Sequence, residues 1–204
     1  MSINMQLRNL KQENVSDLAK VHIISFSGFF LSSLGLNFLK TYYSACLKNK
    51  DTIAIGLYDD DGKLKGFATG TLNASGYHKN ILLNNFYKFF ISLIGVIIVR
   101  PKVLARLFFN LNKSPKKSDK KDYAELMSIS ILPEFKGLGY GKVLLDEFES
   151  TAKKMGAIRL ALTTDFYNNL SVLNFYKVNN YEIYYDFITY PNRKMYKMIK
   201  NLLV

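Results

Sequence analysis

Ile131-Leu132-Pro133-Glu134-Phe135-Lys136-Gly137-Leu138-Gly139-Tyr140-Gly141-Lys142 is the stretch of the chain that decides its fold. It follows residues 123–132, whose loosely alternating apolar side chains predict a β-strand that ends at Pro133. After it, apolar residues recur at helical spacing from Leu144 to Met155, and Gly156 marks the end of that helix. The stretch therefore predicts a strand, a turn with three alternating glycines, and the beginning of a helix.

The glycine turn does not fit two common phosphate-binding motifs. A dinucleotide fingerprint beginning at Gly137 would need a glycine where Lys142 stands, and a P-loop would need Ser or Thr where Val143 stands. Alternating glycines still leave backbone N–H groups unshielded, and the helix start adds partial positive charge. With Lys136 and Lys142 on either side, the turn predicts a cradle for a pyrophosphate. The alternative is a tight turn without a ligand, for which one glycine would suffice.

Local patterns predict the remaining elements. A strand is expected at 5–9, a helix beginning at Asn14 or Ser16, and a second helix at 38–47. Two strands, 52–58 and 63–72, flank the turn Asp59-Asp60-Asp61-Gly62 and predict a hairpin. Later segments predict a strand at 157–164, a short helix capped by Asn169, and strand material at 181–185, 187–190 and 194–199.

Residues 78–122 separate the third and fourth predicted strands. They contain an apolar run at 89–99, which is shorter than the roughly 20 residues that a membrane span needs. Pro101 predicts a further helix at 103–111, and a mobile lysine-rich loop follows at 113–122. The favoured interpretation is a pair of helices that covers the core or forms a dimer contact. The alternatives are a lid over an acceptor pocket and a peripheral membrane contact through 81–111.

Composition limits the classes of partner. The chain has 204 residues, 28 Lys and Arg against 16 Asp and Glu, and a net charge of +12, which favours anionic partners. Nucleic acid is not expected, because no aromatic residues interleave with the lysines of 113–122. Cys46 is the only cysteine, and His22 and His78 lie far apart, so we predict no disulfide and no metal site. The polar N-terminus lacks the apolar core of a secretory signal and predicts a cytoplasmic protein. A monomer or a homodimer is expected.

Two motifs in the second half resemble the GNAT superfamily of acyl-CoA-dependent N-acetyltransferases. The first is Ile131-Leu132-Pro133 with Lys136-Gly137-Leu138-Gly139-Tyr140-Gly141, in which Lys136 replaces the usual Arg or Gln. The second is Asn169-Leu170-Ser171-Val172-Leu173-Asn174-Phe175-Tyr176, in which Val172 replaces the commoner Ala. The resemblance is strong over 123–185 and topological before that. It implies a mixed α/β (α+β) fold with a largely antiparallel, splayed sheet of about seven strands flanked by helices. Residues 1–204 would form one domain, with 78–122 as a helical insertion and basic loop between strands three and four.

The same resemblance implies an acetyl-CoA-dependent enzyme that acetylates a primary amine of an unidentified acceptor by direct transfer, and a small-molecule acceptor is the expected partner. Acetyl-CoA would be the co-substrate, and no metal would take part. Tyr176 would face the thioester sulfur, and Asn169 would touch the pantetheine or diphosphate region. The residues implied in binding the carrier are Ile129, Ser130, Ile131, Lys136, Gly137, Leu138, Gly139, Tyr140, Gly141, Lys142 and Asn169.

Glu125 is the candidate catalytic base. A primary amine with a pKa of about 10.4 is neutral in only about one part in a thousand at pH 7, so aminolysis needs a proton acceptor. Glu125 lies six residues before Ile131, where the histone-modifying branch of the resembling family carries its base glutamate. Strict alternation would put Glu125, Met127, Ile129 and Ile131 on one strand face, and apolar surroundings would make the carboxylate more basic. The alternative is a surface residue that pairs with a lysine.

No motif identifies the acceptor amine. The candidates are an amino sugar or nucleotide-sugar, a small polyamine-like amine, and a protein amine. The positive net charge favours an anionic acceptor such as a nucleotide-sugar, because like charges repel polyamines. A second class of hypothesis is a non-catalytic basic module on the same fold that binds CoA, nucleic acid or a membrane.

Overall fold

The computed structural model describes residues 4–99 and 119–203, and its centre is a seven-stranded sheet in the order β1-β2-β3-β4-β5-β7-β6. Every neighbouring pair of strands is antiparallel except β4 and β5, which are parallel. This confirms the predicted mixed α/β fold with a largely antiparallel sheet. The strands are β1 (Gln6–Asn9), β2 (Thr52–Tyr58), β3 (Leu64–Thr71), β4 (Ala124–Ile131), β5 (Arg159–Asp165), β6 (Glu182–Thr189) and β7 (Arg193–Asn201).

Helices cover both faces of the sheet, because the inner strands are apolar on both sides. In β2, Ile53 and Ile55 pack in one buried cluster, whereas Ala54 packs in a second cluster on the other face of the sheet. The helices are α1 (Val15–Ser25), α2 (Phe30–Ser33), α3 (Gly35–Leu47), α4 (Tyr77–Asn84), α5 (Phe86–Val99), α6 (Tyr140–Lys154) and α7 (Leu170–Val178). Of the helices in the two described ranges, none is long and apolar enough to cross a membrane.

The insertion between the third and fourth strands is confirmed, and it contains α4 and α5. The predicted helix at 103–111 and most of the lysine-rich loop, through residue 118, lie outside the described residues. The separate strand pieces predicted at 181–185 and 187–190 form the single strand β6, whose pairing with β7 shifts between Ile183 and Tyr185.

A β-bulge interrupts the pairing of β3 with β4. Thr69 lies opposite Ser128 and Gly70 lies opposite Leu126, so Met127 is the extra residue. The strands approach closely here, since a Cβ atom at position 70 would stand 2.1 Å from the carbonyl oxygen of Glu125. The bulge therefore depends on a glycine at position 70.

The bulge also reverses which residues of β4 face each side of the sheet. Leu126 packs toward α6, and so do Ile129 and Ile131, whereas Met127 packs toward α1 and α3. The predicted single face for Glu125, Met127, Ile129 and Ile131 is therefore wrong. Strict alternation fails because one extra residue shifts the two-residue period by a full position.

Candidate active site

The two parallel strands at the centre of the sheet separate soon after they begin to pair. β4 pairs with β5 only at Ala124–Leu126, opposite residues 160–162. Beyond that point a cleft of about 600 Å³ opens between the strands. The sequence-predicted residues Glu125, Ile129, Asn169 and Tyr176 all line it. Ser130 and Ile131 continue β4 beyond the lining, and Ile131 is part of the core.

The glycine turn opens to solvent at the start of α6. Gly137 and Gly139 have φ angles of +80° and +83°, a conformation that glycine adopts without steric cost. A Cβ atom at either position would meet nothing within 4 Å. Within residues 119–203, the amide N–H groups of Gly137, Leu138, Gly139 and Gly141 have no hydrogen-bond partner. These amides, together with the N-terminus of α6, can bind an anion.

One of the two lysines beside the turn is already paired with a carboxylate. The ammonium of Lys142 lies 2.5 Å from the carboxylate of Asp146, one helical turn further on. Both side chains are about half exposed, so this pair adds little stability but occupies the Lys142 charge. Lys136 is exposed beside the turn. The main-chain amides and Lys136 are therefore the groups at the turn that stay open to an anion.

Asn169 occupies the predicted N-cap position of α7, immediately before Leu170, but its side chain does not bond to the first turn of the helix. Its side-chain amide donates to the Thr164 hydroxyl at 2.6 Å and to the Asp165 carbonyl at 3.0 Å, and makes no capping bond. These bonds fix the start of α7 against the end of β5, on the edge of the cleft. The amide oxygen of Asn169 has no partner in the described part of the chain and can accept a hydrogen bond from a ligand.

Tyr176 is on α7 and is only 6% exposed. Its ring contacts Phe175 and Tyr181 edge to face, with centroids 5.2 and 5.6 Å away. Burial raises the pKa of Tyr176, so the phenol stays protonated at neutral pH. The hydroxyl has no hydrogen-bond partner among residues 4–99 and 119–203, so it can donate to a group that enters the cleft.

Glu125 is paired with a buried cation. Its carboxylate accepts a hydrogen bond from the ammonium of Lys197 on β7, and Lys197 is only 5% exposed. The same ammonium lies 5.1 Å from the ring centroid of Tyr123. The expected apolar surroundings of Glu125 are therefore wrong. The alternative was a surface residue that pairs with a lysine. Glu125 does pair with a lysine, but its side chain is only 18% exposed and does not lie at the surface.

A second acidic group lies next to this pair. Asp119 accepts hydrogen bonds from the hydroxyls of Tyr123 at 2.7 Å and Tyr185 at 2.6 Å. Burial alone would raise the pKa of Asp119, but these hydrogen bonds, a further one from the Lys121 backbone N–H and the charge of Lys197 together hold the pKa below its usual value. Sequence reasoning missed this cluster, because Asp119 and Tyr185 are 66 residues apart.

A second ion pair lies on the wall of the cleft. The guanidinium of Arg193 donates to both oxygens of Asp165, each at 2.5 Å. The same guanidinium lies 5.2 Å from the ring centroid of Phe29, which follows α1. Arg193 therefore links β5 and β7 to the segment between α1 and α2. Further aromatic side chains complete this wall: Phe26, Phe30, Phe187 and Tyr190.

His22 on α1 also lines the cleft and was not predicted as a site residue. It is 2% exposed, and its Nδ1 lies 2.6 Å from the hydroxyl of Tyr43. Its Nε2 is buried and has no partner among the described side chains and backbone. Burial lowers the pKa of His22 to about 4, so the ring is neutral at pH 7. The sequence contained one signal for His22, its position four residues after Leu18 on the apolar face of the helix.

In the parts of the chain that the structure describes, no three His, Cys, Asp or Glu side chains are grouped so as to hold a metal ion.

Several solved structures share this fold. The ribosomal-protein-S18-alanine N-acetyltransferase from Escherichia coli has a TM-score of 0.62 and 13% identity, with 98% of this chain and 94% of that chain covered. The PaiA N-acetyltransferase from Thermoplasma acidophilum, in complex with coenzyme A, has a TM-score of 0.58 and 17% identity, with coverage of 97% and 99%. A chimeric spermidine N-acetyltransferase from Vibrio cholerae has a TM-score of 0.63 and 12% identity, with coverage of 98% and 96%.

Similarity at these identities establishes the fold alone, and no curated protein matches the chain in sequence. The sequence does match the model of the Acetyltransferase (GNAT) family over residues 25–181. That range spans more than half of the chain and includes both the glycine turn and the segment from Asn169 to Tyr176. The chain therefore belongs to the GNAT family of acetyltransferases and is an acyltransferase.

Proposed function

We propose that the protein is a cytoplasmic N-acetyltransferase that moves the acetyl group of acetyl-CoA directly to a primary amine while both substrates are bound. The observation that carries this proposal is the early separation of β4 from β5. It leaves main-chain groups of β4 without a sheet partner, close to an open glycine turn at the start of α6. A pantetheine arm can pair with β4 as a short strand would, with its diphosphate at the turn.

The proposed contacts to CoA follow from this placement. The main chain of Ile129, Ser130 and Ile131 would pair with the pantetheine amides, and the side-chain oxygen of Asn169 would accept from the same arm. The diphosphate would bind the amides of the turn, of which four have no partner among the described residues: those of Gly137, Leu138, Gly139 and Gly141. The proposed diphosphate-binding residues are Lys136, Gly137, Leu138, Gly139, Tyr140, Gly141 and Lys142.

Glu125 is the proposed general base. The Lys197 ammonium orients its carboxylate and offsets part of the cost of burying that charge. The acceptor ammonium would give one proton to Glu125, directly or through one water, and its nitrogen would then attack the thioester carbonyl carbon. The cleft lining brings Glu125 and Tyr176 to the same cavity, which supports a direct transfer without a covalent enzyme intermediate.

Tyr176 is proposed to stabilise the leaving sulfur. When the tetrahedral intermediate collapses, the C–S bond breaks, and the second proton lost by the nitrogen balances the proton gained by the CoA thiolate. Burial raises the pKa of Tyr176, whereas an ordinary thiol has a pKa of about 8.5, so full proton transfer from the phenol is unfavourable. A hydrogen bond from the phenol to the sulfur, strengthening as the C–S bond breaks, is the role that this favours.

An amino sugar or nucleotide-sugar is the proposed acceptor. Both carboxylates in the cleft lining, Glu125 and Asp165, are paired with cations of the protein, which leaves neither for the second ammonium of a polyamine. Lys121 also lines the cleft and has no ion pair within the described residues, which favours an anionic group on the acceptor. The aromatic wall that includes Phe29 and Phe187 can stack on a sugar or base.

Thiol release from acetyl-CoA across a panel of amines tests the proposal. We expect the highest kcat/KM with nucleotide-linked amino sugars and the lowest with polyamines. Glu125→Gln should lower kcat about 100-fold or more, because general bases contribute at least that much. Tyr176→Phe should lower kcat about tenfold, with no loss of thermal stability, because the hydroxyl makes no hydrogen bond to the described residues that the change would remove.

Matched controls are available on β6. Glu182→Gln and Tyr184→Phe change the same chemical groups at exposed positions and should leave kcat unchanged. The absence of thiol release with every amine, together with no thermal shift from CoA, would refute the acetyl-transfer proposal. Wild-type kcat in Glu125→Gln would remove Glu125 as the base, and a preference for polyamines would refute the proposed acceptor class.

A further inference from the structure

One side of α5 carries a stripe of exposed apolar side chains. The opposite side of the same helix is anchored in the core by Phe89 and Leu93, which are 3% and 4% exposed. The outward side chains are between 44% and 74% exposed and follow helical spacing: Phe86, Tyr87, Phe90, Ile91 and Ile94. The rings of Phe86 and Phe90 stack with centroids 6.3 Å apart. We call these five side chains the α5 stripe.

A groove of about 800 Å³ lies beside the stripe, between α3 and α5. Three lysines line it, Lys40, Lys48 and Lys88, together with apolar side chains that include Leu36 and Ile91. None of the residues that line the groove is acidic. None of the three lysines has an ion pair within residues 4–99 and 119–203. The groove is therefore an uncompensated positive surface with apolar walls.

The distribution of acidic residues along the chain also leaves the helices around this groove without negative charge. All 16 acidic residues lie outside two long stretches, 18–50 and 62–118. The helices α3, α4 and α5 fall within these stretches and contain no carboxylate that could neutralise their lysines. An apolar helix face flanked by unpaired lysines is typical of helices that lie in the surface of an anionic membrane.

We propose that the α5 stripe and the lysine groove form a docking surface for a bilayer that contains anionic lipids. The 14 residues of α5 give a helix about 21 Å long, which would lie in the plane of the membrane. The stripe would enter the boundary between headgroups and acyl chains, where aromatic side chains are favoured. The lysines would contact lipid phosphates.

Two other partners fit the surface less well. A nucleic acid would satisfy the lysines but would leave the apolar stripe without a contact that excludes water. A second copy of the chain would cover the stripe but would bring two positively charged grooves together. An anionic bilayer satisfies both features at once. This surface is built from α3 and α5, not from the cleft, and does not depend on the proposed acetyl transfer.

The test uses the absence of tryptophan from the chain. Tyr87→Trp places a single reporter in the stripe, whereas Ile158→Trp places one at a position 57% exposed outside the stripe. Vesicles of phosphatidylglycerol mixed with phosphatidylcholine should shift the emission of the Tyr87→Trp protein to shorter wavelength and leave the Ile158→Trp protein unchanged. Raising the salt concentration from about 0.1 M to about 1 M should weaken binding, because the Debye length falls from about 10 Å to about 3 Å.

Vesicle flotation of chains without the reporter gives the second readout. Phe90→Ser should weaken binding about tenfold by removing one inserted ring, and Lys40→Ala with Lys88→Ala should weaken it by about the same factor. Val178→Ser removes an apolar side chain that is 78% exposed elsewhere and should have no effect. A thermal shift on addition of CoA shows that each variant is folded. If CoA gives no shift with the wild type, an unchanged cooperative melting transition serves as the same control.

Three results would overturn the proposed docking surface. The first is equal binding to vesicles of phosphatidylcholine alone. The second is that the protein does not bind vesicles but forms a concentration-dependent dimer in light scattering, and that Phe90→Ser abolishes this dimer. The stripe would then be an interface between copies of the chain. The third is salt-sensitive DNA binding with no vesicle binding.

Discussion

Replacing Gly139 by alanine separates the backbone conformation of the glycine turn from its proposed affinity for CoA. Gly139 has a φ angle of +83°, and a Cβ atom there would meet nothing within 4 Å. The stability cost is therefore conformational and not steric. An L-residue in this region costs roughly 1–2 kcal/mol, which corresponds to about 3–6 °C in Tm for a chain of this size.

Gly156 provides the matched control. It has a φ angle of +95°, its Cβ atom would also meet nothing within 4 Å, and it follows the other end of α6. The 15 residues of that helix span about 22 Å, so Gly156 is far from the turn. Gly156→Ala should lower Tm by the same amount as Gly139→Ala and leave the affinity for CoA unchanged.

Only Gly139→Ala should weaken CoA binding. Its methyl group would enter the open space in which the diphosphate is proposed to lie. Displacing the diphosphate from one charge-assisted hydrogen bond costs about 1.5–3 kcal/mol, which raises Kd by about 10-fold to 100-fold. Urea unfolding gives the stability and isothermal titration calorimetry gives Kd. The same Kd for Gly139→Ala and wild type, or an equal loss of affinity in Gly156→Ala, would refute the proposed cradle.

Three further predictions concern stability. Gly70→Ala should cost more than about 3 kcal/mol, because its Cβ atom would lie 2.1 Å from the Glu125 carbonyl oxygen and 2.5 Å from Phe148. Gly141→Ala, whose Cβ atom meets only Phe175 at 3.9 Å, should be neutral or stabilising in the same urea unfolding assay. Burial lowers the pKa of His22 from 6.5 to about 4 in the folded chain. Between pH 4 and pH 6.5 the unfolded chain therefore binds a proton at His22 that the folded chain does not. Stability should therefore fall as pH drops from 6.5 to 4, by up to about 1.4 kcal/mol per pH unit, and His22→Gln should remove that slope. An unchanged slope in this variant would contradict the burial of a neutral ring.

The parts of the fold that the sequence predicted depend on neighbours in the chain. The hairpin of β2 and β3 follows from alternating apolar residues around an acidic turn that ends at Gly62, which has a φ angle of +71°. The glycine turn before α6 was predicted for the same reason, since strand, glycines and helix are consecutive. Local propensity and periodicity are sufficient for such elements.

The features of the site that were missed join distant parts of the chain. Lys197 lies 72 residues after Glu125, and the two meet only because β4, β5 and β7 are adjacent in the sheet. The bulge at Met127 had one local signal, the isolated Gly70 inside a strand pattern. The pairing of Lys142 with Asp146 also had a signal, the spacing of four residues on a helix.

The two ends of the insertion have a consequence for how this chain can vary. The chain leaves the sheet after Thr71 and re-enters it at Ala124, and Thr71 is the register partner of Glu125. The two ends of the insertion are thus adjacent positions on the paired strands β3 and β4, and a tight hairpin turn could join them. A change in the length of the insertion therefore need not alter the order of the seven strands, provided that buried side chains in the places of Phe89 and Leu93 are kept.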